Sequence, residues 1–465
     1  MSSYHDPSNP NHGHLEHALR HHIGGQRQRI FGDLAQLCAI PSLALNDDHA
    51  KDMARSAQMI RDLMVERGLV TEIIETSDGS PAVVGKRAAK NNAPTVLLYC
   101  HHDVVDISTP DEWESDPFIL TERDGRWYGR GSADCKGNVL MHLAAIRAVD
   151  ATGGCDAGII LVCEGSEERG GQGLKDLVDD RPELFDADLI CIADTASGQA
   201  GLPTLTTSLR GGGQLTVTVN TLEAPVHSGQ FGGAAPDAVA ALVRVLATLH
   251  DDDGQVAVNG LGQHRHWEGS PYPAEDDAAR DAAGLLDGVD MLGAGDDEMA
   301  DLVWARPAVT ITGFSSTPVE EAINAVPATA SAQLNLRVPP GVDTADAAEK
   351  VAEHLRAHIS WGAHIDVDIT SANPSFAADT SGPLFGLLSD CISQAYKQDT
   401  EMIGTGGSIP LTVKLAEKFP NAEFGLYGVA ESASAIHSSN ESVDPEEIER
   451  LAFAEALLLT RLRFR

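Results

Sequence analysis

The apolar run Thr95–Tyr99 is short and bounded by polar residues, as a buried strand should be. It delivers His101 and Asp103 at its end. A Gly-rich turn holding Asp134 follows, and Lys136–Gly137 opens an amphipathic helix over 137–149. Strand-like runs at 158–163 and 188–193 then alternate with helical spacing at 171–180, the rhythm of a sheet flanked by helices. Upstream, 26–40 and 49–67 carry helical apolar spacing, and Gly68 suits the end of the second helix. Short apolar runs around 69–75, 81–86 and 95–100 read as strands. Residues 1–24 are polar and read as a tail leading into the first helix.

The pattern changes near Leu205. Residues 214–220 alternate apolar and polar, the mark of a half-exposed strand. A helix is predicted over 236–250. The Asp- and Gly-rich stretch 251–305 has weak periodicity and reads as a long excursion with some helix. Strands at 308–313, 328–338 and 364–370, with a helix at 344–359, make a small α+β unit with an open antiparallel sheet. From about 372, helix 383–397, strand 423–428 and helix 445–463 restore the first pattern. The predicted architecture is one α/β domain with a mixed sheet flanked by helices, in two parts, 1–204 and 372–465. An inserted α+β domain, 205–371, interrupts it.

Composition narrows the function. The formal charge is −36 over 465 residues. Such an acidic chain repels nucleic acid and anionic membranes, so neither is an expected partner. The acidity fits a solvated surface, or adaptation to a salty cytoplasm. No apolar run approaches the ~20 residues of a spanning helix, and the N-terminus lacks a basic-then-apolar signal pattern. Cysteines 38, 100, 135, 155, 163, 191 and 391 show no CxxC spacing. They read as buried free thiols of a reducing cytoplasm. His5, His12, His14, His17, His21 and His22 crowd the N-terminus.

Chemistry-bearing residues follow apolar strands or Gly-rich turns repeatedly: His101 and Asp103, Asp134, Glu167 and Glu168, Asp194, and His437. Two imidazoles and three carboxylates can hold two divalent cations if one carboxylate bridges. Mixed nitrogen and oxygen ligands suit Zn²⁺, with Mn²⁺ or Co²⁺ as substitutes. The charges, +4 against −3, leave room for a bridging hydroxide, and a metal pair ~3.5–4 Å apart would acidify it. His101 and Asp103 are two apart and face the same way on extended backbone, so Asp103 can take the proton of the far His101 nitrogen. Of the adjacent Glu167 and Glu168, one is a ligand and its neighbour is free to act as a base.

The segments CHHDVV, WESDPF, DGRWYGRGSADCKG, EGSEE, ADT and IHSSNE resemble those of the dinuclear zinc metallopeptidases that include carnosinases, bacterial dipeptidases, carboxypeptidase G and aminoacylases. The resemblance covers nearly the whole chain. It implies that Asp134 bridges two zinc ions, that His101 and Asp194 hold one, and that Glu168 and His437 hold the other. It implies Glu167 as general base, Asp103 as the partner of His101, and a cis peptide at Asp134–Cys135. The inserted domain would serve as lid and dimerisation domain. LRGGGQLTVTV and VHSGQFGGAAPDAV resemble the carnosinase-type branch. By that likeness His227 reaches the partner subunit's active site and stabilises the oxyanion. Arg337 would grip the substrate carboxylate with a bidentate fork, aided by Gly406, Gly407 and Ser408, with Asn324 lining the pocket. Thr405 departs from the charged residue common in relatives, which bears on substrate preference.

The expectation is a cytoplasmic, homodimeric enzyme with two zinc ions per subunit that hydrolyses the amide bond of dipeptides or small amino-acid amides. An N-acyl-amino-acid amidohydrolase would use the same site. A non-catalytic metal- or peptide-binding protein is the remote reading, because no ligand is missing.

Overall fold

The computed structural model describes residues 10–107, 109–261, 265–274, 279–280, 283–293 and 297–462, of which 10–12 by backbone alone. The chain divides into two compact units. The first joins Met1–Thr207, Ala378–Ile403 and Pro410–Arg465; the second joins Ser208–Ala377 and Gly404–Ile409. The turn carrying Gly406, Gly407 and Ser408 therefore groups with the second unit, not with the flanking α/β sequence.

The large sheet runs in the order Val70–Glu75, Pro81–Arg87, Gly158–Glu164, Thr95–His101, Leu189–Ala193, Glu423–Tyr427, Thr204–Leu209 and Phe376–Ala377, with Glu401–Thr405 also paired to Thr204–Leu209. It is mixed. Thr95–His101 runs parallel to both its neighbours, and Glu423–Tyr427 runs parallel to Leu189–Ala193, while Pro81–Arg87 is antiparallel. Gly158–Glu164 and Leu189–Ala193 are buried along their whole length. Parallel strands covered on both faces need such continuous apolar runs.

Helix Lys136–Ala151 was expected to be amphipathic, but 13 of its 16 residues are buried. It lies between the sheet and helix Pro445–Arg461, with helices Pro10–Gly24 and Arg27–Cys38 also against it. The tail expected over 1–24 is a helix from Pro10 onward. Leu15, Leu19 and Ile23 form a stripe at intervals of four that packs into the core, with Leu19 and Ile23 fully buried. Arg20 lies over the Phe453 ring at 3.8 Å. His14, His17, His21 and His22 stay exposed, while His5 falls outside the described residues. Six of the seven cysteines are buried, and Cys155 is only half so.

Strands Thr121–Arg123 and Arg126–Tyr128 were not anticipated. They pair with each other, and Arg126–Tyr128 also pairs with Ser442–Val443, which ties the DGRWYGRG segment to the chain just after His437.

The second unit is a four-stranded antiparallel sheet in the order Ala308–Ser315, Thr329–Val338, Gly211–Asn220, His364–Asn373. Helices Ala238–Leu246 and Thr344–His358 cover one face. Leu215, Val217 and Val219 alternate inward to meet them, as the period of two predicts. The described part of 251–305 is mostly irregular, with a helical turn at Asp301–Ala305 among its few ordered pieces. No described helix is long and apolar enough to cross a membrane.

Leu98 sits at the centre of the buried sheet with no exposed surface. Leu98→Ala is expected to lower stability by about 2–5 kcal/mol, the range for a large-to-small change in a packed core. Urea unfolding monitored by circular dichroism checks this; a loss below about 1 kcal/mol would contradict the packing described.

Candidate functional site

Ligands of open α/β sheets bind beyond the carboxyl ends of the strands, and the first unit brings its chemistry there. His101 closes its strand, and Asp194 directly follows Leu189–Ala193. Glu167 and Glu168 lie on a turn just beyond Gly158–Glu164. Asp134 precedes helix Lys136–Ala151, and the Asp134–Cys135 peptide is cis.

One carboxylate organises the rest. Asp134 Oδ1 is 2.9 Å from His101 Nε2, and Asp134 Oδ2 is 3.1 Å from His437 Nε2. His101 Nε2 is also 3.4 Å from Asp194 Oδ1, and His437 Nε2 is 3.1 Å from Glu168 Oε2. Two ligand atoms each ~2.1 Å from one tetrahedral ion lie roughly 3.4 Å apart. The donors thus fall into two sets that share Asp134, and the spacing fits a divalent ion in each. Ligand atoms of His101, Asp134 and Glu168 all lie within 4.8 Å of one another, as do those of His101, Cys135 and Asp194. Cys135 is the weaker donor. Burial pushes its thiol up to about 12, and its Sγ is 3.1 Å from the Ala193 carbonyl.

The electrostatics are those of a site short of positive charge. Burial raises the Asp194 pKa to about 6, and Asp134 and Glu168 push it the same way. Burial, then Asp194, Glu168 and Asp103, raise Glu167 well above the usual carboxylate range. The two histidines respond in the opposite sense. Hydrogen bonds to Asp134 and Glu168 bring His437 up to about 10. Burial opposes charge on His101, but Cys135, Asp194, Asp103 and Asp134 outweigh it and raise its pKa. Asp134 gives up its proton readily: burial opposes this, and the hydrogen bonds to His101 and His437 override it.

Asp103 does more than was expected of it. His101 Nδ1 is 3.1 Å from the Asp103 carbonyl and 3.4 Å from its carboxylate. Either acceptor leaves Nε2 with its lone pair toward the ligand set. The Asp103 carboxylate accepts the backbone N–H groups of Glu167 at 3.2 Å and Glu168 at 3.0 Å. It therefore orients the acidic pair directly.

Several supporting residues were not singled out in the sequence. Asp78 holds the far side of the same turn, accepting from Ser166 Oγ and the Gly173 amide, both at 2.8 Å. Gly170 and Gly171 leave that turn at φ 92° and 57°, the left-handed region that glycine allows. Glu441 is buried and accepts from the amides of Gly131, Ala133 and Asp134, and from Arg130 Nη1 at 2.8 Å. It fixes the backbone that presents Asp134. Both lie inside quoted motifs, yet only the fold joins Arg130 to Glu441, which is 311 residues away. The start of the WESDPF segment and the residue before it anchor the His437 loop: Asn440 donates to the Glu112 carbonyl and accepts the Glu114 amide, both at 2.9 Å.

The second unit holds the remaining candidates in two groups. His227 and Asn324 meet on a two-stranded ribbon, Val226–His227 with Ala325–Val326; Ser228 donates to the Asn324 carbonyl at 2.9 Å. His227 is exposed, and its Nδ1 accepts from Gly229 at 3.0 Å, which assigns the ring proton to Nε2. Arg337 and Ser408 meet beside Gly212: a Cβ there would lie 3.0 Å from Arg337 Nη1 and 3.5 Å from Ser408 Oγ. Gly406 and Gly407 belong to the same turn as Ser408, and the Gly407 amide points to Thr405 Oγ1 at 3.4 Å.

A mixed sheet with imidazoles and carboxylates at its strand ends, gathered around one shared carboxylate, defines a metal-dependent hydrolase. The profile of Peptidase family M20/M25/M40 matches residues 97–461, and the chain belongs to that family. It is a metallopeptidase that uses divalent metal. It is 49% identical over 435 residues to a cysteinylglycine-S-conjugate dipeptidase of Corynebacterium striatum, covering 93% of this chain and 95% of that one. It is 26% identical over 375 residues to human Beta-Ala-His dipeptidase, covering 78% of this chain and 74% of that one. Among solved structures, the dipeptidase Dug1p of Saccharomyces cerevisiae superposes with a TM-score of 0.80 at 21% identity, covering 96% and 98%. Human carnosine dipeptidase 1 superposes with a TM-score of 0.79 at 22% identity, covering 96% and 99%.

The grip on the acidic turn has a pH signature. Burial opposes charge on Asp78, but hydrogen bonds from Ser80, Thr76 and Ser166 outweigh it and bring its pKa down to about 2. An unfolded aspartate titrates near ~3.9. The stabilisation from Asp78 is therefore complete above that value and disappears as pH falls through about 2. The stability gap between the native protein and Asp78→Asn should be constant from neutral pH to about 4 and should shrink below it. Denaturant titrations across that range check this; a gap that widens on acidification would contradict the assignment.

Proposed function

We propose that this metallopeptidase is a dipeptidase that holds two zinc ions per subunit, with Asp134 between them. His101 and Asp194 would hold one ion, and Glu168 and His437 the other. The observation that carries the proposal is the Asp134 carboxylate, with one oxygen toward each histidine. Bound metal would polarise the scissile carbonyl and acidify the attacking water.

The protein groups supply the rest. Glu167 is half-buried and crowded by negative charge, so its carboxylate is a stronger base than a freely exposed one. It takes the proton of the attacking water and returns it to the leaving amine. Asp103 keeps Glu167 in register through the backbone amide. Arg337, with Ser408 and the Gly406–Gly407 backbone, binds the carboxylate of the substrate's C-terminal residue. Asn324 lines that pocket. His227 of the partner subunit donates from Nε2 to the oxyanion, which makes the working enzyme a homodimer. The protein works in the cytoplasm, in keeping with seven cysteines and no disulfide among the described residues. The 49% identical relative points to Cys-Gly dipeptides, S-substituted ones included, as the substrate class. Thr405, short and uncharged, adds no charge to the turn that carries Gly406, Gly407 and Ser408.

Glu167→Gln is expected to lower kcat by about 10²–10⁴-fold, the usual contribution of a general base, with metal content unchanged. Steady-state cleavage of cysteinyl-glycine, paired with elemental analysis, checks this. Near-normal turnover with both metals retained would overturn the assignment.

A further inference from the structure

Arg210 stands between strands Thr204–Leu209 and Gly211–Asn220 and is 9% exposed. Arginine is almost never this buried unless an acid meets it. No ion pair to Arg210 is formed among the described residues. Its Nη1 donates to the Arg306 carbonyl at 3.5 Å, and its Nε has no partner. Burial and a second cation, Arg337, bring its pKa down to about 10. Arg337 is half-buried and also forms no ion pair among the described residues: burial lowers its pKa, and its Nε donates to the neutral Asn335 Oδ1 at 3.1 Å.

Arg210 reaches the Gly406 turn, and Arg337 lies beside Gly212, where Ser408 of the same turn also comes close. A Cβ on Gly406 would sit 2.9 Å from Arg210 Nη2. A Cβ on Gly212, which pairs with Arg337 across the sheet, would sit 3.0 Å from Arg337 Nη1. The glycines leave the space that the two groups fill. The Arg210 amide also donates to the Thr405 carbonyl at 3.3 Å, which ties the turn to the strand. Two desolvated positive charges thus flank a turn that carries a hydroxyl and backbone amides but no acid. A monoanion with two acceptor oxygens matches it; a neutral amide does not.

We propose that Arg210 and Arg337 form a two-guanidinium pocket for the free carboxylate of the dipeptide, and that Arg210 sets the preference for acid over amide. This deepens the function proposed above and rests on Arg337 as the carboxylate-binding residue. Arg210 acts as a specificity-determining residue, through its charge and by holding the Gly406 turn.

The test uses the full-length, metal-loaded enzyme with alanyl-glycine and alanyl-glycinamide. Arg210→Met should raise KM for the acid by roughly 10- to 100-fold, the effect of losing one nearby charge in a poorly hydrated site. kcat should change far less, and the acid-over-amide preference should fall. Arg210→Lys, which keeps the charge, should restore most of that preference; it also serves as the probe if the Met variant does not fold. Equal losses on acid and amide, or a Lys variant no better than Met, would overturn the role of Arg210. Arg337→Met separates the two readings. If it lowers the acid preference while Arg210→Met does not, only the second guanidinium is wrong. If neither variant alters the preference, the carboxylate pocket itself is wrong.

Discussion

Negative charge crowded into a partly buried site is the constraint on which the first unit depends. Asp134, Glu167, Glu168 and Asp194 converge with only His101 and His437 to offset them. Carboxylates so close cannot all hold ordinary charge without added cations. The result is visible in the opposed shifts: Asp194 and Glu167 hold protons more tightly, and both histidines stay charged to higher pH. Divalent ions would relieve the same repulsion. The fold maintains the crowding because its strands are buried and its turns are tied. Glu441 fixes the Asp134 turn, while Asp103 and Asp78 hold the Glu167–Glu168 turn from two sides. Acidic residues thus appear in two places, in the cluster itself and as acceptors for the backbone that positions it.

The second unit shows the opposite imbalance. Arg210 and Arg337 lie partly or wholly out of water with no ion pair among the described residues, near a turn rich in donors. A peptide substrate presents a carbonyl to be polarised and a carboxylate to be held. The crowded carboxylates of the first unit suit added cations, and the guanidinium groups of the second suit an anion. Family membership fixes the class of reaction, and these two imbalances explain why residues of this kind suit it.

Much of this could be read from the chain. The cluster of imidazoles and carboxylates was legible because each of its residues follows an apolar run or a Gly-rich turn, and strand ends are where such residues converge. The four-stranded sheet was legible from alternation such as QLTVTV. Helix Pro10–Gly24 was not, because three apolar residues in a His-rich segment give a thin stripe whose burial depends on the closing helix. Helix Lys136–Ala151 was misread as amphipathic because Lys136, Asn138 and His142 are polar. Each is buried against a specific partner, such as the Ile40 carbonyl for Lys136 and Glu455 for His142. Glu441 and Asp78 were missed for the same reason. Their function lies in contacts with distant backbone, and one sequence carries no sign of which amides will be near.

The most direct measurement is anomalous diffraction at the zinc edge from crystals of the zinc-loaded enzyme. Two peaks per subunit are expected, one within ~2.3 Å of each Asp134 oxygen, with His101 and Asp194 at the first and Glu168 and His437 at the second. A single peak, or peaks away from Asp134, would contradict a dinuclear centre built on that carboxylate.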